Sequence, residues 1–87
     1  MAQGNIDISK LKYDSGVVWS GTKTIPLVSG NLYFLFGGKN TQYSIAVIVN
    51  DGGTWYIHGN NDIATITDDN LIIALYGRWA LLWLPLY

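Results

Sequence analysis

The amino-acid sequence predicts an all-β protein, a small antiparallel β-sandwich, jelly-roll-like, of about seven to nine short strands. Three observations lead there. Clusters of turn-forming residues recur about every ten residues, among them Ser29-Gly30-Asn31, Asn50-Asp51-Gly52-Gly53 and Asp68-Asp69-Asn70. Such residues accept a positive φ or bond their own backbone, so they mark chain reversals. Between them lie short runs rich in Val, Ile, Thr, Tyr, Phe and Trp, the residues that fit a pleated, half-buried surface. The third is one clear hairpin: Gln42–Val49 and Thr54–His58 flank Asn50-Asp51-Gly52-Gly53, whose Asp-Gly pair suits a tight reversal.

In chain order, strands are expected near Leu11–Tyr13, Val17–Trp19, Thr22–Val28, Leu32–Phe36, Gln42–Asn50, Thr54–His58, Ile63–Thr67, Leu71–Tyr76 and Arg78–Leu84. The first two are separated by the turn signal Asp14-Ser15-Gly16, and Gly37-Gly38-Lys39-Asn40 reads as a hairpin turn. Ile25 and Leu27 alternate with Thr24 and Pro26, as Trp55 and Ile57 do with Thr54, Tyr56 and His58; both strands should be half-buried. Pro26 has no N–H to give a ladder, which places its strand at a sheet edge or a bulge. Residues 10–87 form one domain, and Met1–Ser9 is a separate, polar arm. Ile6 and Ile8 alternate within that arm and could add a strand to a neighbouring sheet edge.

Three strands, Leu32–Phe36, Leu71–Tyr76 and Trp79–Leu84, are apolar on both faces. A strand apolar on both sides is covered on both sides, whereas a two-sheet sandwich covers only one face of each sheet. An identical subunit is the simplest cover. The expected interface residues are Leu71, Ile73, Leu75, Trp79, Leu82, Trp83 and Leu84. Within the last strand, Trp79, Leu81 and Trp83 can fill the sandwich, leaving Ala80, Leu82 and Leu84 to a partner. A short helix is the alternative for this strand, since Arg78, Ala80, Leu81, Leu82 and Leu84 are good helix formers. Gly77 in front and Pro85 behind leave it only about two turns. A membrane span is disfavoured, because Gly77 and Arg78 interrupt the run and a central arginine costs at least ~2.5 kcal/mol to insert.

Composition argues the same way. Of 87 residues, 49% are hydrophobic and 13% charged, against about 25% charged in ordinary soluble domains. Part of the surface is therefore expected to be covered in the working state. A formal net charge of −1 gives no electrostatic case for nucleic acid. With no cysteine there is no disulfide framework, zinc knuckle or thiol nucleophile. MAQGNIDISK has neither a basic n-region nor an apolar h-region, so no secretory signal is expected.

No motif carries chemistry. His58 is the single histidine and has no ligand partner at metal spacing. Asp51, Asp62, Asp68 and Asp69 sit in turns, where Asp bonds the local backbone. Neither an EF-hand pattern nor GxSxG, GxGxxG or a Walker loop is present. The expectation is a protein without catalytic residues, metal or cofactor. Among the aromatics, Tyr43, Tyr56 and His58 are the candidates for an exposed glycan-stacking platform.

The stretch Lys12–Leu27, KYDSGVVWSGTKTIPL, resembles the opening of small β-sandwich modules in bacteriophage virion proteins, both tail-fibre or receptor-binding and capsid-decorating. Those modules often begin with a DSG or W-S-G turn, continue into a T-I-x-L strand, and carry a tyrosine-rich strand like Leu32–Leu35. A Y-x-I-x-V-I-V strand follows, here Tyr43–Val49. The resemblance implies a non-enzymatic virion structural protein that self-associates, commonly as a homotrimer, and docks on other proteins of the particle. It has no catalytic residues to carry over. A carbohydrate- or receptor-binding adhesion module is the alternative.

Overall fold

The computed structural model describes residues 8–39, 42–59, 63–74 and 77–86. A single 3-10 turn, Ile8–Lys10, precedes eight strands: β1 Lys12–Val18, β2 Lys23–Pro26, β3 Asn31–Lys39, β4 Gln42–Asp51, β5 Thr54–Gly59, β6 Ala64–Thr67, β7 Asn70–Ile73 and β8 Gly77–Pro85. They form two antiparallel sheets, one of five strands in the order β1-β8-β3-β4-β5 and one of three in the order β2-β7-β6. The all-β sandwich expected from the sequence is the fold of the chain.

The core lies between the sheets and follows from two-residue alternation. Val18, Tyr33, Leu35, Ala46, Ile48, Trp79 and Leu81 enter it from the five-stranded sheet. Leu27, Ile63, Ala64, Leu71 and Ile73 enter it from the other side. Tyr33 contributes its ring to the core and keeps its hydroxyl satisfied, accepting the Val28 N–H at 2.7 Å. Trp55 and Trp83 flank that ring at centroid distances of 6.2 and 6.1 Å.

Two tight turns show why these residues reverse the chain. Gly52 (φ 63°) and Gly53 (φ 89°) join β4 to β5, both in the positive-φ region that a two-residue hairpin needs. Asp68 (φ 51°) and Asp69 (φ 61°) do the same between β6 and β7 without glycine, as Asp and Asn tolerate that region. Asp69 has a further task. Its carbonyl accepts the Leu27 N–H at 2.8 Å, and its carboxylate accepts Trp55 Nε1–H at 2.8 Å. One turn residue thus ties the small sheet to the outer strand of the large one.

Several boundaries differ from the sequence expectation. The signal Asp14-Ser15-Gly16 does not break the chain; β1 runs through it, paired with β8 from Lys12 opposite Trp83 to Val18 opposite Gly77. Asp14 still accepts its neighbour's N–H, from Ser15 at 2.8 Å, but does so within an edge strand. Gly16 is there for packing: a Cβ on it would meet the Trp79 indole at 3.1 Å. Likewise Gly37 and Gly38 belong to β3, which runs on to Lys39 opposite Gln42. The final segment is a strand and not a helix, since it is held between β1 and β3. Pro26 ends β2, an edge strand, as its missing N–H requires. Among the described residues no helix is long and apolar enough to cross a membrane.

Candidate functional site

Alternation gives each sheet an outward face, and the two differ. On the three-stranded sheet, Thr24, Thr65, Thr67 and Asn70 point outward, with Pro26 and Ile72 as the apolar members. On the five-stranded sheet, strand register places outward residues in four rows. The first is Val17, Arg78, Gly38 and Tyr43; the second is Ser15, Ala80, Phe36 and Ile45. The third is Tyr13, Leu82, Phe34, Val47 and His58; the fourth is Leu84, Leu32, Val49 and Tyr56. Within these rows Arg78 is the one Lys, Arg, Asp or Glu.

The rows are largely uncovered. Tyr43 is 80%, Tyr13 76% and Ile45 56% exposed, and Val17, Phe36 and Tyr56 also lie open. Leu32, Phe34, Val47, Val49, Ala80 and Leu82 are half-buried by their neighbours. Leu84 is closed off, at 4%, on the strand against which the turn Ile8–Lys10 rests, and Gly38 is buried beneath the Tyr43 ring. Strands about 4.8 Å apart and residues about 3.4 Å apart make the face ~24 Å wide and ~24 Å long. Without the corner that β5 does not reach, its projected area is roughly 500 Å², and the side chains standing on it expose more. Monomeric soluble proteins rarely leave an apolar patch beyond a few hundred Å² uncovered.

The face has relief. A depression of about 390 Å³ opens at the first two rows, among Ser15, Val17, Phe36, Tyr43, Arg78 and Ala80. It exists because Ser15, Ala80 and Gly38 are small. The Tyr43 ring lies over Gly38, where an added Cβ would meet it at 3.1 Å, and stands as the wall of the depression.

The residues expected to act divide by face. Leu71, Ile73 and Trp79, expected at a subunit interface, lie in the chain's own core. Their second face is supplied by the other sheet of the same molecule, so their side chains are not available to a partner. Trp83 packs against that core from its rim. Leu82 and Leu84 do face outward, Leu82 half-exposed. Leu75 and Ile6 lie outside the described residues. Ile8 is exposed but sits in a 3-10 turn, where Leu11 N–H bonds the Ile8 carbonyl at 3.0 Å, and not in an extended arm.

Tyr43, Tyr56 and His58 share the outer face without forming one platform. Tyr56 and His58 stack, with centroids 6.4 Å apart and planes at 21°. Tyr56 is opposite Val49, six residues along β4 from Tyr43, or about 20 Å. Asp68 and Asp69 serve the β6–β7 turn, and among the described residues no group of three His, Cys, Asp or Glu could hold a metal.

Sequence reasoning missed Tyr13, Val17, Ile45 and Val47 as members of the face. The signal was present in β4, where Tyr43, Ile45, Val47 and Val49 alternate with Ala46 and Ile48, all apolar except Tyr43's hydroxyl. Comparisons of the chain with protein-family models, curated proteins and solved structures find no match.

Proposed function

We propose that the protein is a non-enzymatic structural subunit of a bacteriophage particle, on the fibre, tail or capsid surface, which works by self-association and by docking on its neighbours. The observation that carries this reading is the uncovered apolar face of the five-stranded sheet. Such a surface has a use in an assembly and is a solubility hazard in an isolated chain. The likeness of Lys12–Leu27 to virion sandwich modules supplies the setting.

The test is protein mass spectrometry on gradient-purified particles of the phage that encodes the chain. A structural subunit is recovered in fixed stoichiometry with the particle and survives a salt wash. Recovery only in the soluble lysate fraction overturns the assignment.

A second reading, an adhesion module for a host-surface glycan, is favoured by the exposed Tyr56–His58 stack, since aromatic faces stack on sugar rings. It predicts binding on a glycan array that Tyr56→Ala abolishes. An array without hits, together with unchanged host adsorption by the variant, counts against it.

A further inference from the structure

We propose that the uncovered face is closed by a second copy of this chain, stacked sheet on sheet about a two-fold axis that runs along β3. This rests on the self-association reading and names its surface and symmetry. It departs from the trimer that the virion resemblance implies. A flat sheet face can be shared with one neighbour, whereas a closed trimer needs two different patches on each subunit.

Area, relief and charge argue for a second copy. Two faces of roughly 500 Å² give about 1,000 Å² of projected contact, and more when side chains are counted, which reaches the size of a specific interface. An axis along the strands turns each row onto itself and reverses the strand order about β3. The depression beside Arg78 then receives the partner's most exposed ring, because the β8 side of one copy meets the β4 side of the other. Arg78 faces Tyr43 of the partner subunit, a cation over an aromatic face. Small Ala80 opposes large Ile45, and Leu82 opposes Val47. Phe34 and Phe36, on β3, meet their own copies near the axis. An axis across the strands has none of this, since it brings the Arg78 row onto Leu84. A strongly charged partner is disfavoured, because the rows offer one fixed charge.

The chain has no cysteine, so a single introduced thiol reports one position. Facing sheets lie about 10 Å apart, beyond a disulfide and within a short bis-maleimide linker. The 87-residue chain at tens of micromolar is examined by analytical ultracentrifugation and then cross-linked. The expected species has twice the 9.6 kDa chain mass, and Phe36→Cys links to itself while Thr65→Cys, on the polar face, does not. Ile45→Cys mixed with Ala80→Cys links across copies and gives the same information where Phe36→Cys loses its cooperative thermal transition. Ile45→Asp weakens association by ~100-fold or more, since it buries an unpaired charge, and Thr65→Asp leaves it unchanged.

A monomer at about 100 micromolar overturns this proposal and the self-association reading together. An oligomer that links through Thr65→Cys, or that ignores Ile45→Asp, leaves self-association standing and overturns the face. A threefold mass overturns the two-fold axis.

Discussion

The outer faces of the two sheets are made by the same rule and end in opposite chemistry. Behind β2, β7 and β6 the alternate positions are Thr24, Thr65, Thr67 and Asn70, with Pro26 and Ile72 among them. Behind β1, β8, β3, β4 and β5 they are chiefly Tyr, Val, Leu, Ile and Phe. Both sheets bury their inner faces in one core, so folding alone explains the apolar positions on the inside. It does not explain the outer rows of the large sheet. The difference separates what the chain needs in order to fold from what, on the proposed reading, it carries for association.

The comparison can be broken most forcefully from the inside. Leu71→Ala removes a side chain with no exposed surface and should cost about 2–5 kcal/mol in chemical denaturation. Because Leu71 belongs to the monomer's core, the loss should not vary with protein concentration; a loss that disappears at high concentration places Leu71 at an interface. Asp69→Ala should cost about 1–3 kcal/mol, since Trp55 Nε1–H loses its acceptor and alanine tolerates the positive φ less well than aspartate. Asp69→Asn retains an acceptor oxygen and should recover most of that, read from the same denaturation midpoints. On the outer face, Gly38→Ala should change stability by under about 1 kcal/mol, because the atom it meets belongs to a rotatable tyrosine ring. It should nevertheless displace Tyr43 and weaken self-association by roughly tenfold, measured by sedimentation. The smallest effect belongs to Thr65→Lys on the polar face, within about 0.5 kcal/mol and without change in mass.

How much of this was legible depended on distance along the chain. The β4–β5 hairpin could be read because Gly52 and Gly53 lie between strands whose pattern is local. Alternation likewise placed Leu81 and Trp83 inward and Leu82 outward. The pairing of β1 with β8, and of β2 with β7, joins segments far apart in sequence and left no local trace. That is why Gly16 read as a turn. Its reason for being glycine is Trp79, which lies opposite it only in the folded chain. For the same reason Leu71, Ile73 and Trp79 read as interface. Apolar strands need cover on both sides, but sequence alone does not say whether the cover comes from the same molecule. The outer face was legible in part, through Leu82 and Leu84, and its extent emerged once β4 was seen beside β3.

The ladder between β1 and β8 has a mechanical consequence. It is antiparallel, with Lys12 opposite Trp83 at one end and Val18 opposite Gly77 at the other. The two ends of the described chain therefore leave the sheet side by side. A force that draws them apart loads the Lys12–Trp83 pair first and then each following pair in turn, as a zipper opens. Strands pulled lengthwise past each other would resist with the whole ladder at once. The fold is thus a poor link in a chain stretched end to end.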